Sequence, residues 1–233
     1  MLDKSYARPD LLVDTDWVAE HGADPGVRLV DMGPRLGQEP RAHRIAGSVS
    51  PRHPYFKGTE DSRFVAGPAE IKAIFEALSI DDDTLVVAYD SALSLNAARL
   101  WWALSYYGHR AFKIMDGGFG KWVAEERPVV KSPGKVKAEA SFSPRADAAI
   151  LSTIDTLRAA VNDDDAAVWD TRTVEEYSGE EVRGNARAGH VPGAKHLEWS
   201  ELMANDGTFR PADQMRAALE SVGITRNKHI HTY

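Results

Sequence analysis

Two stretches of this chain read alike at a fixed distance. Thr84–Gly108, TLVVAYDSALSLNAARLWWALSYYG, has the pattern of a buried strand, a tight loop and an amphipathic helix, and Ile224–Tyr233, ITRNKHIHTY, repeats its strand. Ile80 falls on Ile224 and Tyr89 on Tyr233, each 144 positions on. Asp31 falls on Asp170 at an offset of 139, Gly47 on Gly193 at 146, and a helix expected over Pro68–Leu78 on one expected over Pro211–Val222. The small drift in offset is loop-length variation. Three aspartates precede the strand at Thr84 and three more, Asp163 to Asp165, precede the strand expected over Ala166–Asp170. Such a repeat, with strands alternating with helices, restricts the chain to two copies of one α/β unit, each a parallel sheet flanked by helices.

The boundaries follow. Residues 1–130 form the first domain, 131–150 a linker and 151–233 the second domain. The linker is set by Pro133, Gly134 and Pro144 and by a core, KSPGKVKAEASFSP, with few large apolar residues, and is expected along the surface. In the first domain the spacing predicts a helix over Pro9–His21, strands over Val27–Asp31, Ile45–Val49 and Phe112–Met115, and a short helix bearing Phe119, Trp122 and Val123. In the second, Ser152 or Thr153 is expected to cap a helix through Val161.

Composition excludes several roles. The 28 Lys and Arg against 35 Asp and Glu give a net charge of −7 with no dense basic patch, which argues against nucleic acid. No apolar run approaches a membrane span, and MLDKSYARPD lacks a signal core, so a cytoplasmic location is expected. With no Cys in the sequence, neither a disulfide nor a thiolate metal site can form among these residues. His229 and His231 alternate on the last strand and share a face, but no third ligand stands near them in sequence.

The most specific string is Val168–Trp199, VWDTRTVEEYSGEEVRGNARAGHVPGAKHLEW. Its D-x-R, E-Y-x-G and G-H-V-P-G-A elements, followed by a strand ending in Tyr, resemble the rhodanese (thiosulfate sulfurtransferase) family in its two-domain, bacterial form. The first half looks like a worn copy, with DMGPR, HRIAGS and IMDGGFGKW at matching places. The resemblance implies two tandem rhodanese-like domains, the first catalytically silent and the second carrying a Cys immediately after its central strand. Asp90 holds the matching place in the first domain and is expected to be inactive there, since a carboxylate cannot carry a persulfide. In the second domain that Cys would follow Tyr233, so the chain is expected to contain no nucleophile and to leave the second domain incomplete. Roughly 40 further residues, as a continuation or as a C-terminal fragment held noncovalently, would complete it.

The resemblance implies a sulfane sulfur moved from a small anionic donor such as thiosulfate to a thiophilic acceptor, cyanide or a thiol, with no metal or organic cofactor. Arg183 and Arg187 are candidates to hold the donor, against a solvated role beside Glu180 and Glu181. Trp199 is a candidate wall of the site, or plain core packing. Asp170 and Arg172 read as a pair bracing the strand end, and His190 as a hydrogen-bonded turn residue more than a base. Glu176 stands where vertebrate-type members carry a basic residue, so their donor contacts do not transfer. Two alternatives stay open, a Cys-dependent phosphatase of related fold and a noncatalytic binding module.

Overall fold

The computed structural model describes residues 5–35, 37–52, 56–136 and 139–233. It divides into two compact units, the first of residues 8–150 and 205–208, the second of residues 5–7, 151–204 and 209–233.

In the first unit, β1 (Leu12–Val13), α1 (Thr15–His21), β2 (Val27–Pro34), α2 (Pro68–Ala77), β3 (Leu85–Ser91), α3 (Leu95–Tyr106), β4 (Phe112–Met115) and α4 (Gly118–Ala124) follow in order. The strands form one parallel sheet, β1-β4-β3-β2. Val86 to Tyr89 of β3 are fully buried, as an unbroken apolar run between two layers of helix requires. On one face Val86 and Ala88 pack with Ile71 and Phe75 of α2 and Leu100 and Leu104 of α3; on the other, Val87 and Tyr89 pack with Val18, Phe119 and Trp122.

Two local expectations are corrected. The single helix over Pro9–His21 is instead a 3-10 turn, strand β1 and α1, because the Asp14 side chain accepts Trp17 N at 2.9 Å and starts the helix after it. That leaves Leu12 and Val13 extended against Ile114 and Met115. The strand expected over Ile45–Val49 shrinks to one bridge, Val30 to Val49, because Ile45–Ser48 closes a turn through Gly47 at φ 79°.

The stretch read as a linker is packed on the first unit. Phe142 is fully buried, with its ring edge-on to Phe75 at 5.0 Å. Around it Phe142 N donates to Glu76 Oε1 (3.0 Å), Ser143 N to Asp82 Oδ1 (2.8 Å) and Arg145 N to Tyr107 O (3.0 Å). Backbone bonds and one aromatic anchor hold this segment, which is why its composition reads as loose.

The second unit contains α5 (Ile154–Val161), β5 (Ala166–Asp170), α6 (Val174–Ser178), β6 (Lys195–His196), α7 (Ala212–Ser221) and β7 (His229–Thr232), with a parallel sheet in the order β6-β5-β7. Its pairing copies the first unit residue for residue: Ala166 to Trp169 stand opposite His229 to Thr232, as Val27 to Val30 stand opposite Leu85 to Ala88. Burial differs. Val86 is fully buried, whereas its counterpart Ile230 is 36% exposed. Ile230 and Thr232 line a groove of about 440 Å³ with Trp169, Met215, Leu219 and Ile224. In the first unit the matching face of β3 is covered by α3 as well as α2. Among the described residues, no helix is long and apolar enough to cross a membrane.

Phe142→Ala is expected to lower the stability of the first unit by about 3–5 kcal/mol, the usual cost of emptying a buried aromatic site. Urea unfolding followed by hydrogen exchange of β3 amides measures it, and a change below about 1 kcal/mol would return residues 131–150 to the role of a loose tether.

Candidate active site

Both units build the same support at the carboxyl end of the sheet. In the second, Tyr233 N donates to Trp169 O (3.2 Å), while Tyr233 O accepts from Thr171 N (3.1 Å) and Thr171 Oγ1 (2.9 Å). The Tyr233 hydroxyl accepts Val191 N at 2.9 Å, so the ring spans from the strand end to the turn at Val191–Ala194. In the first, the Tyr89 hydroxyl accepts Ile45 N at 3.0 Å and lies 2.8 Å from Ser48 Oγ, itself bonded to Ile45 O. Burial pushes the Tyr89 phenol well above its ordinary value, so it stays protonated.

Beside each tyrosine stands a braced carboxylate. Asp170, buried at the end of β5, accepts Arg172 N (3.0 Å), Nε (2.9 Å) and Nη2 (2.6 Å). Burial pushes its carboxyl up, but the Arg172 side chain and backbone N–H outweigh that and hold it below the ordinary value. Arg172 also donates to Gly189 O at 3.0 Å, and its guanidinium lies 5.0 Å from the Tyr233 ring centre. His190 sits in the next turn, its Nδ1 2.8 Å from Tyr177 O and its ring stacked on Tyr177 at 3.8 Å. His196 stacks on the same tyrosine and bonds Arg172 O at 2.9 Å.

In the first unit the guanidinium beside Asp31 comes from Arg41, which also lies over Phe119 at 3.9 Å and near Tyr89 at 5.6 Å. Arg41 stands 146 positions before Arg187, the offset of the whole turn motif. The brace is therefore supplied by a different loop position in each unit. Arg187 is left exposed, with no hydrogen bond or ion pair among the described residues.

The loop after β3 is the most developed feature. Asp90 is 1% exposed, and its two oxygens accept four backbone N–H groups: Ala92 (2.8 Å) and Ser94 (2.9 Å) on Oδ1, Asn96 (2.9 Å) and Ala97 (2.9 Å) on Oδ2. Leu93 and Ser94 adopt φ of 55° and 65°, which turns the peptides inward ahead of α3. Asn96 Nδ2 fixes the loop to Pro34 O at 2.9 Å. Glycine is required at 118, where a Cβ would lie 2.5 Å from Asp90 O. Burial raises the Asp90 carboxyl above its ordinary value and outweighs the four N–H donors, which pull it down.

The model of the rhodanese-like domain matches residues 14–125 and 153–233. This chain belongs to the rhodanese family. It is 34% identical over 248 residues to the sulfur carrier protein TtuD of Thermus thermophilus, covering 98% of this chain and 83% of that protein. It is 29% identical over 237 residues to a thiosulfate sulfurtransferase of Azotobacter vinelandii, covering 100% and 79%. In fold it is similar to the 3-mercaptopyruvate sulfotransferase SseA of Escherichia coli, with a TM-score of 0.84 at 23% identity over 95% of this chain and 87% of that one.

Within this rhodanese frame, Asp170 and Arg172 stand beside Tyr233, while His190 packs on Tyr177. Trp199 is half-buried at the start of a 3-10 turn, not on the preceding strand, and its N–H is tied to Thr171 O at 3.1 Å. Arg183 is engaged by Glu181 (3.0 Å), one of the two glutamates weighed against a donor role, and by Glu176 (3.4 Å) in place of Glu180. Glu176 itself completes a capping box with Thr173. Sequence reasoning overlooked Tyr177, Arg41 and Asn96. Arg41 was signalled by its offset from Arg187, and Tyr177 by its place inside E-Y-x-G; nothing marked Asn96.

Arg172→Ala is expected to destabilise the second unit by about 3–5 kcal/mol, because it strands the buried Asp170 charge. Asp170 has a depressed value when folded, so its contribution is present above the unfolded value near pH ~4 and is lost as pH falls through the folded one. Protection factors of the β5 amides should fall at pH 7 in the variant and on acidification in the wild type. Unchanged exchange in Arg172→Ala would refute the bracing role.

Proposed function

We propose that this chain is a tandem sulfurtransferase of the rhodanese family whose second unit is the catalytic type. It moves a sulfane sulfur from thiosulfate or a similar donor to a thiophilic acceptor, cyanide or a thiol. The carrier in this reading is a Cys persulfide, presented by the loop that follows β7. The observation that carries the reading is the anion cradle around Asp90, at the place in the first unit that corresponds to the residue after Tyr233 in the second. Relatives named as thiosulfate sulfurtransferases and as a sulfur carrier support it.

The chemistry follows from the cradle. Converging N–H groups at a helix start favour a thiolate over a thiol. The thiolate attacks the outer sulfur of thiosulfate, a Cys S–S bond forms, and sulfite leaves with the electron pair of the broken S–S bond. The acceptor then attacks the terminal sulfur and the thiolate returns. Arg187, exposed beside the turn motif and spared the bracing task that occupies Arg41, is the group proposed to receive the donor's charge. Trp199 is proposed as a wall of the site, and Asp170, Arg172 and His190 as its support. The first unit, with Asp90 in the sulfur's place, is read as noncatalytic.

The assay is thiocyanate formation from thiosulfate and cyanide. The protein that includes the residue after Tyr233 is expected to turn over and to be inactivated by alkylation. The 233-residue chain, which has no thiol, is expected to be inert, and turnover by it alone would sink the covalent mechanism. In the active protein Arg187→Ala should raise KM for thiosulfate roughly 10-fold, about 1.4 kcal/mol of lost charge-assisted contact. An unchanged KM would return Arg187 to the solvated surface.

A further inference from the structure

The amino end of the first sheet holds a cavity that the sulfur chemistry does not use. Its volume is about 740 Å³, within the ~300–1,000 Å³ usual for a small-molecule site. Val27, the first residue of β2, and Thr84, just before β3, both line it. Asp90 stands six positions further along β3, roughly 20 Å away at ~3.3 Å per residue. The cavity contains a cation short of a partner. Arg28 of β2 is half-buried, its Nε is buried with no hydrogen-bond partner, and its Nη1 donates to Lys135 O at a long 3.3 Å. Burial lowers the guanidinium from its ordinary value, and the charge of Asp81 offsets part of that. Asp81 is engaged elsewhere, since its Oδ1 accepts Thr84 Oγ1 at 2.6 Å and Asp83 N at 3.3 Å. Asp24 is likewise taken, 2.9 Å from His21 Nδ1. Asp83 and Glu139 line the same cavity as exposed carboxylates, and neither side chain has a hydrogen bond or ion pair among the described residues.

We infer that this cavity is a noncatalytic binding site for a short peptide with free termini, its carboxylate on Arg28 and its ammonium on Asp83 and Glu139. A simple anion would satisfy Arg28 but meet the uncompensated carboxylates. A simple cation would leave the guanidinium without its acceptor, and a neutral apolar ligand would leave both kinds of charge unpaired. A ligand carrying both charges satisfies all three side chains. Lys135, which also lines the cavity, adds a second positive charge for the ligand's carboxylate. The volume is larger than one amino acid fills, and Pro25, Val27 and Ala140 supply apolar surface for the side chains of a peptide. Binding is reversible and transfers no group. It involves none of the residues assigned to sulfur transfer, so it stands or falls apart from that reading.

The test is a titration of the 233-residue chain with tri-alanine, followed by the amide shifts of Val27, Arg28, Asp83 and Thr84 in two-dimensional NMR. Saturable shifts confined to the cavity are expected. Tri-alanine blocked at both ends, acetate and methylamine should each bind roughly 10-fold or more weakly, because each lacks at least one charged contact. Arg28→Gln and Asp83→Asn should each weaken tri-alanine roughly 10-fold while the rest of the spectrum is kept. Asp83→Asn changes an exposed side chain with no contact of its own, so it carries the test even if the Arg28 variant fails to fold. Four results would each overturn the inference: no saturable shift up to about 10 mM, equal binding of the blocked peptide, acetate as tight as tri-alanine, or undiminished binding by Asp83→Asn.

Discussion

Several backbone N–H groups converge where a central parallel strand meets the helix after it, and burial obliges them to find an acceptor. In the first unit the Asp90 carboxylate meets that demand. Left unmet, each buried donor would cost about 1–3 kcal/mol. The rest of the architecture serves to deliver the convergence: a β3 buried on both faces fixes where the strand ends, and the packing of Leu100 and Leu104 of α3 fixes where the helix begins. Asn96 and Gly118 then remove the remaining freedom of the loop between them.

The tyrosine at the end of β3, and its counterpart just after β7, which is an edge strand among the described residues and not a central one, form the second constraint. Tyr89 and Tyr233 each reach a turn amide 42 to 44 residues away with nearly the same bond, 3.0 and 2.9 Å. The turn is thereby set at the length of one phenol ring from the strand, and the residues it carries inherit that placement. What differs between units is the guanidinium beside the aspartate, local from Arg172 in one and from across the loop, Arg41, in the other. Such a swap keeps the charge pair while changing which loop arginine remains exposed.

The repeat made most of this legible in advance. The 144-residue offset between the tyrosines places β3 and β7 in one register, and the observed pairing agrees at four successive positions. The turn motif at Gly193 and the pairing of Asp170 with Arg172 were also readable, since each depends on residues adjacent in sequence. Three things were not. The opening helix splits because one cap, Asp14, outweighs an apolar spacing that suits helix and strand alike. Residues 139–150 look like a tether because their hold is mostly backbone hydrogen bonding, which composition does not encode. Asp90 reads as a helix cap, yet it lies on β3 and serves amides up to seven residues ahead, a reach that emerges only when Leu93 and Ser94 turn left-handed.

A carboxylate in the loop also fixes how the first unit responds to oxidative stress. A low-pKa thiolate climbs readily to sulfenic and then irreversible acids, each step adding oxygen that its cradle must accommodate. Asp90 has no such ladder. Peroxide leaves the charge, the four amide bonds and the buried β3 above which they sit unaltered. The first unit thus carries a loop that peroxide cannot rewrite, a chemically permanent scaffold at the end of its sheet.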